Sequence, residues 1–453
     1  MTAVGILGVS AAPDPAAAVA RPAFGTLGDP QTRLLAGPGP ARGAETLRAH
    51  LDRLGPLPLP ARRADLLELV RASRLAGRGG GEFPVARKLA AAAGAGGDPL
   101  VVVNGSEGEP ASRKDRTLLE HRPHLVLDGA ALAAHAVGAS TVVVYLHASR
   151  PTTWSAVARA LDERRAGPGD GAVSFHVASA PDAYVAGESS AVVNVLEGGG
   201  PLPRRHPNPV AVCGVHGRPT VVSNAETLGH LALLGRFGPG WFTMAGSPDA
   251  PGSTLLTLAG GVRAPGLVVE VLEPVRLGDV LRVHGGVDGA PGAVLIGGYG
   301  GRWIGGEAAF DAPLDRGALR RAEVGLGCGI VAPLPPRSCG LATTLVLLDY
   351  LAGQSAGQCG PCVLGLPALA DELAAIVDGC ATKGDVRRLT SKALGLRGRG
   401  DCSHPDGAIA LLESALDVFA DDAARHARGR HCGGSHDDGW FPVAEGPRPV
   451  APS

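Results

Sequence analysis

A glycine-rich segment of this 453-residue chain has the composition of an anion-binding loop. It reads Gly77-Arg78-Gly79-Gly80-Gly81 and lies between two stretches predicted to be helical, 65–75 and 85–93. Glycines let backbone N–H groups turn toward a phosphate, and the N-terminus of the following helix adds partial positive charge. Lys88, one turn into that helix, is one of four lysines in the chain, so the pattern favours a phosphate site over an ordinary flexible turn.

Polar residues also follow a short apolar run, 100–103, that is typical of a buried strand. They read Asn104-Gly105-Ser106-Glu107-Gly108-Glu109-Pro110, and in open α/β sheets ligands bind beyond the carboxyl ends of the strands. Two further polar segments cover residues 183–190 and 218–227. Taken singly, each of the three also fits a surface loop with capping residues.

Eight cysteines supply a further set of reactive groups. The closest pair is Cys359-Gly360-Pro361-Cys362, in a helical context, which favours metal or redox chemistry over structural bridges and over a thioredoxin-like site. Cys432 is predicted to be incidental. The cysteines without a motif partner are predicted to be core residues: Cys213, Cys328, Cys339 and Cys380.

The balance of charge argues against two classes of partner. The chain carries 42 basic and 43 acidic residues without a long run of one sign, which disfavours nucleic acid or an anionic membrane as the main partner. The N-terminal stretch is apolar but lacks the basic residues of a signal peptide, and no apolar run reaches the roughly 18 to 20 residues that span a bilayer. A cytoplasmic protein without a direct membrane span is therefore expected.

The helices and strands that must position these residues fall into blocks. Alternating strands and helices from residue 65 onward predict a mostly parallel sheet covered on both faces. Period-two stretches between residues 253 and 301 predict a small strand–helix–strand unit, and helical stretches after residue 336 predict a bundle. The predicted organisation is an irregular N-terminal arm over 1–44, an α/β domain over 45–250, a small domain over 251–325, a helical bundle over 338–432 and a disordered tail over 433–453.

In their order, these segments resemble the NADH- and FMN-binding flavoprotein subunit of respiratory complex I, whose family includes subunits of NAD-dependent hydrogenases and formate dehydrogenases. The family's loop, Gly-Arg-Gly-Gly-Ala-Gly-Phe-Pro with a following lysine, is matched from Gly77 to Pro84 and at Lys88 except at two positions. The resemblance spans about residues 45 to 430. The second and third family motifs are matched at Asn104, Glu107, Glu109, Pro110, Lys114, Asp115 and Arg116, and at Ala183, Tyr184, Gly187, Glu188 and Ala191.

The resemblance implies an α/β fold with a Rossmann-like FMN-binding domain, a small ubiquitin-like β-grasp (soluble-ligand-binding) domain and a C-terminal helical bundle with an iron–sulfur cluster. It implies contacts to a nicotinamide nucleotide from Phe83 and Glu109. It implies cluster ligands at Cys359, Cys362 and Cys402. The residues implied to contact FMN are Gly77, Gly79, Gly80, Lys88, Asn104, Ser106, Glu107, Tyr184, Gly187, Glu188, Ser223 and Asn224.

The chain departs from the family at several positions near the cofactors. Glu82 replaces the last glycine of the loop and is expected to repel a second anionic phosphate, while Ser106 and Ser189 replace acids. Ala91 and Asn208 stand where the family has phenylalanines that stack on adenine, a loss on the order of 1 kcal/mol each. The sequence therefore supports FMN binding better than NAD(P)H binding.

The cysteine motif departs as well, because Ala356 stands where the family has its first cysteine. Three thiolates can hold a cuboidal cluster, either as [4Fe–4S] with the fourth iron bound by solvent, His404 or Ser355, or as [3Fe–4S]. Cys359, Cys362 and Cys402 would equally form a tetrahedral zinc site with His404, and cysteines buried without metal are the remaining alternative.

The sequence thus predicts an electron-transfer flavoprotein, an NADH dehydrogenase-like enzyme whose FMN accepts electrons from a donor such as NAD(P)H and passes them to an iron–sulfur centre. The flavin performs the hydride chemistry, so no side chain is predicted to be catalytic. The expected partner is a ferredoxin-like or other redox protein subunit, or a membrane reductase. The alternatives are an electron-relay subunit that does not use NAD, and a scaffold with a zinc site or no metal.

Overall fold

The computed structural model describes residues 24–27, 33–167, 173–204, 208–272, 274–436 and 441–443. In these ranges the chain is a mixed α/β protein with a parallel sheet and many helices, which confirms the predicted fold class at this level. No helix within the described ranges is both long and apolar enough to cross a membrane.

The strands of the described ranges are numbered in chain order: β1 Phe24–Leu27, β2 Leu100–Asn104, β3 Thr141–His147, β4 Ser174–Ala180, β5 Thr220–Asn224, β6 Gly246–Ser247, β7 Ala250–Pro251, β8 Thr254–Leu258, β9 Leu267–Val271, β10 Val275–Arg276, β11 Ala293–Ile296, β12 Arg302–Gly305, β13 Pro313–Leu314 and β14 Ile330–Pro333. The α-helices are α1 Leu47–Leu54, α2 Arg63–Ser73, α3 Val85–Gly94, α4 Lys114–His121, α5 Pro123–Val137, α6 Pro151–Ala166, α7 Ser189–Leu196, α8 Ala225–Phe242, α9 Leu277–Val280, α10 Gly306–Asp311, α11 Arg316–Arg321, α12 Gly340–Gly353, α13 Leu366–Val377, α14 Lys383–Leu396, α15 His404–Val418 and α16 Ala420–His426.

The first sheet is parallel throughout, with strand order β4-β3-β2-β5. Val101 and Val103 of β2 pack into a core with the helices of one face, whereas Leu100 and Val102 belong to a core on the other face. Burial on both faces explains why β2 reads as a continuous apolar run. Because β2 and β5 are adjacent and parallel, Asn104 pairs with Asn224 at the same edge of the sheet.

The second sheet is mixed, with strand order β1-β9-β8-β14-β11-β12. It extends beyond the predicted limits 251–325, because β14 lies at its centre and β1 at its edge. The prediction of an irregular arm over 1–44 agrees with the turns and bends of residues 33–44 but is wrong for the strand β1. Phe24–Leu27 pairs with β9, and the buried Leu34 and Leu35 donate backbone N–H groups to the Glu270 carboxylate at 3.0 and 2.9 Å. The residues of this segment make these contacts through their backbone, so the sequence shows no periodic side-chain pattern that would predict them.

Helices α12 to α16 pack on one another and share a core with the second sheet, which α15 contacts at β12. The prediction of a disordered tail over 433–453 is wrong for its described residues. Phe441 is buried against the ring of Tyr299, and Ser435 pairs with Ser338 as a β-bridge. A single aromatic anchor after a glycine pair gives no sequence period, so the pattern alone could not predict this packing.

Asp128 on α5 joins four helices of the first core through its buried carboxylate. His50 Nε2 and Arg164 Nη2 each lie 2.8 Å from its oxygens, and the Arg236 guanidinium also donates to it. Burial alone raises the pKa of Asp128, but the hydrogen bond from His50 and the positive charges of Arg164 and Arg236 hold it well below its ordinary value. The charged form therefore stabilises the fold at neutral pH, and that contribution is lost as the pH falls through the folded-state pKa.

Replacing Asp128 by Asn is expected to lower the free energy of unfolding by about 3 to 5 kcal/mol, because the buried Arg236 guanidinium would lose its carboxylate partner. Urea unfolding at pH 7 measures this loss. The control is Asp52→Asn, whose exposed carboxylate lies 3.8 Å from Arg48 and which is expected to change little. Equal effects of the two substitutions would contradict the assignment.

Candidate functional site

A cavity of about 870 Å³ lies at the carboxyl edge of the parallel sheet, where Asn104 and Asn224 end β2 and β5. Its volume is in the range of cofactor sites. The structure brings together these predicted residues in its wall: Gly79, Gly80, Asn104, Ser106, Glu107, Glu109, Tyr184, Gly187, Glu188 and Asn224. The remaining residues predicted for FMN or nicotinamide do not line it: Gly77, Phe83, Lys88 and Ser223.

The glycine loop is closed on itself and anchored behind the cavity. Gly77 N donates to Phe83 O at 2.9 Å, and the buried Arg78 donates its backbone N–H to Thr227 Oγ1 at 2.8 Å. Gly80 and Gly81 face open space: a side chain at Gly81 would meet no atom within 4 Å. The loop therefore presents bare backbone to the cavity, as a phosphate cradle requires.

Two side chains of the loop region point elsewhere than the sequence predicts. The Lys88 ammonium is mostly buried and donates to Val222 O at 2.7 Å, so it supports β5 rather than the cavity. Glu82, at a φ of 41° that favours glycine, forms ion pairs with Arg316 at 2.7 Å and Arg320 at 3.0 Å. The expected repulsion by Glu82 is therefore wrong, because its charge is neutralised by α11 and it does not line the cavity.

The lysine in the cavity wall is Lys114, whose role the sequence prediction missed. Its ammonium lies 2.7 Å from Asp115 and 3.0 Å from Glu226, and all three side chains are buried. Burial lowers the pKa of Lys114, but the two carboxylates more than compensate and raise it above its ordinary value. The rarity of lysine in this chain was the available signal, and it applied to Lys114 as well as to Lys88.

The polar residues after β2 are held by specific hydrogen bonds. Glu107 accepts from Ser112 Oγ at 2.8 Å and from the first N–H groups of α4, so it caps that helix. Ser106 Oγ lies 3.1 Å from Nε2 of His147, whose Nδ1 lies 3.3 Å from Asp182. Asn104 Nδ2 donates to Gly187 O at 2.8 Å, which joins this segment to the next.

The segment around Tyr184 crosses directly over the segment after β2. A side chain at Gly108 would lie 2.0 Å from Tyr184 O, so only glycine allows the two backbones to come this close. Tyr184 OH donates to Glu109 Oε1 at 2.6 Å, and Tyr299 N donates to Glu109 Oε2 at 2.9 Å. Burial raises the pKa of Glu109 to about 7, although these hydrogen bonds favour its charged form.

Phe83 is 47% exposed, with the Arg87 guanidinium 5.4 Å from its ring centre, and it lies outside the cavity wall. Ser223 is buried inside β5, while its neighbour Asn224 caps α8 by accepting from Thr227 N at 3.1 Å. Glu188 likewise caps α7 by accepting from Ser190 N and Ala191 N. Several site carboxyl and amide groups therefore also fix helix starts.

A second, smaller pocket is lined by the predicted cluster ligands Cys359, Cys362 and Cys402, together with Ala356 and His404. Cys402 and His404 line the large cavity as well, so the two sites share a wall. His404 Nε2 lies 2.8 Å from Leu351 O, whereas its buried Nδ1 has no hydrogen-bond partner among the described residues.

Two of the remaining cysteines depart from their predicted roles as core residues. Cys328 lines the large cavity, and Cys380 is exposed, so neither is a simple core residue. Cys339 is buried, as predicted for a core residue. Ligand atoms of Cys339, Cys432, His426 and His436 all lie within 4.8 Å of one another, a grouping that the sequence did not predict. Residues 339 and 432 are 93 positions apart, so no spacing motif joins them.

Family models match both sites. The model described as the Nuo51 FMN-binding domain matches residues 70–232, which include every predicted FMN contact. The model described as the NADH-ubiquinone oxidoreductase-F iron-sulfur binding region matches residues 342–426, which include the three predicted cluster cysteines.

Curated relatives cover most of the chain. The F subunit 2 of the NADH-quinone oxidoreductase of Rhizobium meliloti (strain 1021) is 32% identical over 381 residues, which are 81% of this chain and 90% of that protein. The HndC subunit of the NADP-reducing hydrogenase of Solidesulfovibrio fructosivorans is 28% identical over 384 residues, 82% of this chain and 77% of that protein.

Solved structures of an NAD⁺-reducing [NiFe]-hydrogenase have a similar fold. The H2-reduced form gives a TM-score of 0.73 at 30% identity and covers 81% of this chain and 63% of that chain, so this chain spans less than two thirds of the hydrogenase chain's length. The air-oxidized form gives a TM-score of 0.77 at 29% identity and covers 92% and 70%.

The raised pKa of Glu109 predicts a pH-dependent stability. A carboxyl whose folded pKa is about 7, above its ordinary 4.5, stabilises the fold fully below pH 4.5, and that contribution is lost as the pH rises toward 7. Glu109→Gln is expected to remove a dependence on the order of 3 kcal/mol across this window, measured by urea unfolding at a series of pH values. The exposed Glu307→Gln is the control, and an unchanged pH profile in Glu109→Gln would contradict the assignment.

Proposed function

Because this chain belongs to the family of the F subunits of NADH-quinone oxidoreductase, we propose that it is a flavin-dependent oxidoreductase that passes electrons from a nicotinamide nucleotide through FMN to an iron–sulfur centre. The observation that carries this proposal is the shared wall. Cys402 and His404 line both the large cavity and the cysteine pocket, so a flavin in the first would lie beside a cluster in the second.

The large cavity fits FMN in the types of group that it presents. The bare backbone of Gly79, Gly80 and Gly81 suits the phosphate, and the amides of Asn104 and Asn224 suit the polar edge of a flavin ring. Bound FMN would supply hydride acceptance and single-electron release. The chain's own residues would orient the ring and exclude water, and Lys114 would contribute an ammonium whose charge Asp115 and Glu226 fully offset.

The cysteine pocket fits a cuboidal cluster with three thiolate ligands. We assign the fourth position to His404, because its buried Nδ1 lacks a hydrogen-bond partner among the described residues. Ser355 is a weaker candidate, since its Oγ already accepts from Gly357 N at 3.0 Å. A ring nitrogen is a known substitute for thiolate in iron–sulfur sites.

Glu109 is the remaining candidate for contact with the nicotinamide nucleotide, since it lines the cavity and Phe83 does not. The neutralised Glu82 leaves no uncompensated carboxylate in the glycine loop. A second candidate function, an electron relay that does not use NAD, is favoured by the position of Phe83 and by Ala91 and Asn208 in place of stacking rings.

The finer domain assignment rests on the same elements. We assign the parallel sheet with its helices to a Rossmann-like FMN-binding domain, the strands and short helix around α9 to a β-grasp module, and α12 to α16 to the iron–sulfur bundle. We also propose that a second redox protein accepts the electrons. The two relatives described above support this, because each is a subunit of an oxidoreductase or a hydrogenase.

A carboxylate placed on the loop tests the FMN site. Gly80→Glu is expected to weaken FMN binding at least about tenfold, because like charges near 4 Å repel by more than 1.4 kcal/mol in a partly buried site. Gly80 has no atom closer than 4.0 Å to an added Cβ, so the fold accepts the substitution. Flavin fluorescence titration measures the affinity, with Gly39→Glu as the control because a Cβ there also meets nothing within 4 Å.

Wild-type protein loaded with FMN separates the two functions. Anaerobic stopped-flow mixing with sub-millimolar NADH or NADPH is expected to bleach the flavin absorbance. An FMN-loaded protein that neither nucleotide bleaches, but that a chemical reductant does, would exclude nicotinamide oxidation and support the relay function.

Iron content tests the cluster ligands. Anaerobically purified protein is expected to hold about four iron atoms, His404→Ala about three, and His404→Ala combined with Ala356→Cys about four again, since the new thiolate restores the fourth ligand. Elemental analysis and EPR measure this series. Full iron occupancy in His404→Ala alone would exclude His404 as a ligand.

A further inference from the structure

A third group of ligand-type side chains lies outside both sites of the proposed function. Within the described residues, Cys339, His426, Cys432 and His436 place one ligand atom each so that all four lie within 4.8 Å of one another. Cys339 and His426 are buried, and Cys339 Sγ lies 3.6 Å from His426 Nε2. The rings of His426 and His436 are 5.5 Å apart.

Backbone contacts hold the four residues together. Cys339 is the N-cap of α12, and its N–H donates to Ser435 O at 2.8 Å. Ser435 N donates back to Arg337 O at 2.5 Å. A Cβ at Gly434 would lie 2.8 Å from Cys339 N, so the glycine permits this close crossing. The segment that follows α16 is therefore laid across the start of α12 by main-chain pairing, which brings Cys432 and His436 to the buried pair.

We propose that Cys339, His426, Cys432 and His436 form a structural zinc site that fastens the chain after α16 to the start of α12. Two thiolates and two imidazoles are a common tetrahedral donor set for Zn²⁺. Metal–ligand bonds of about 2.0 to 2.3 Å place tetrahedral ligand atoms roughly 3.3 to 3.8 Å apart. The observed separations of at most 4.8 Å are therefore within about 1.5 Å of that geometry.

A two-iron cluster fits this group less well. With this ligand set, the thiolates bind one iron and the imidazoles bind the other, with the length of the cluster between them. Cys339 Sγ and His426 Nε2 are too close for that arrangement, at 3.6 Å. A disulfide between Cys339 and Cys432 would not explain why His426 and His436 also lie beside the two sulfur atoms.

The site is distinct from the cysteine pocket. Cys339 precedes α12, whereas Cys359 and Cys362 follow its end at Gly353. A helix of 14 residues is about 21 Å long, so the helix separates the two groups. Zinc is redox-inert, so it suits a structural site and not an electron carrier.

Elemental analysis of the full chain, purified anaerobically, tests the proposal. Wild type is expected to contain about one zinc per chain beside its iron, and X-ray absorption at the zinc edge is expected to show two sulfur and two nitrogen ligands. Cys432→Ser and His436→Ala, which change the less buried ligands and so spare the core, are each expected to lose at least about tenfold in zinc occupancy with iron unchanged. His431→Ala, whose ring is 6.2 Å from His436 but which is no ligand, is the matched control and is expected to keep its zinc.

Several results would overturn the site. These are wild-type protein without zinc, retention of zinc in both ligand variants, zinc that is lost only with Cys359→Ser, or a Cys339–Cys432 disulfide in the native protein by non-reducing peptide mapping.

Limited proteolysis is a second measurement, which does not depend on metal content. Trypsin is expected to cut after Arg430 at least about tenfold faster in Cys432→Ser than in His431→Ala, because the unfastened segment opens locally. Equal cleavage rates would also contradict the proposal.

Discussion

The half-buried carboxyl of Glu109 makes the hydrogen bonds on which the geometry of the large cavity depends. It accepts hydrogen bonds from Tyr184 OH and from Tyr299 N, which belong to the segment before α7 and to the turn between β11 and β12. Both tyrosine rings meet Tyr350 of α12 edge to face. One side chain thus joins the parallel sheet, the mixed sheet and the helical layer. A half-buried carboxyl that lost these donors would cost more than any single contact gains, so the three parts hold one arrangement.

The charged residues around the cavity likewise link parts of the chain that are distant in sequence. Glu226 accepts from Leu255 N of β8 at 2.9 Å and pairs with Lys114, so the ion pair that brings a cation to the cavity also ties α8 to the second sheet. Glu82 is stabilised at its strained backbone position by two arginines of α11. In both cases a charge near the cofactor site is paired with a residue distant in sequence, because burial would otherwise make it too costly.

The sequence predicts the strands, helices and loops of the site well, but it does not predict which partners the side chains contact. Apolar runs such as that of β2 and the glycines of the loop determine local structure, so strand, loop and the polar strand end could be predicted at the correct positions. Lys88 and Lys114 are equally rare by composition, and only the packed sheet decides that Lys88 donates to Val222 O while Lys114 lines the cavity. The partners of Glu82 lie more than 230 positions away, at Arg316 and Arg320, and no local period carries such a pairing.

The lack of a local sequence pattern also explains why one cysteine site could be predicted and the other could not. Cys359 and Cys362 are close in sequence, so their chemistry is visible as a motif, whereas Cys339 meets Cys432 only because the chain after α16 returns to the start of α12. That return also seats Phe441 against Tyr299, whose backbone N–H holds Glu109. Phe441 is therefore coupled to the cavity wall through two contacts. Cys339 and Phe441 belong to the core that the helices share with the second sheet, so burial and the proposed zinc site would hold the same segment in place.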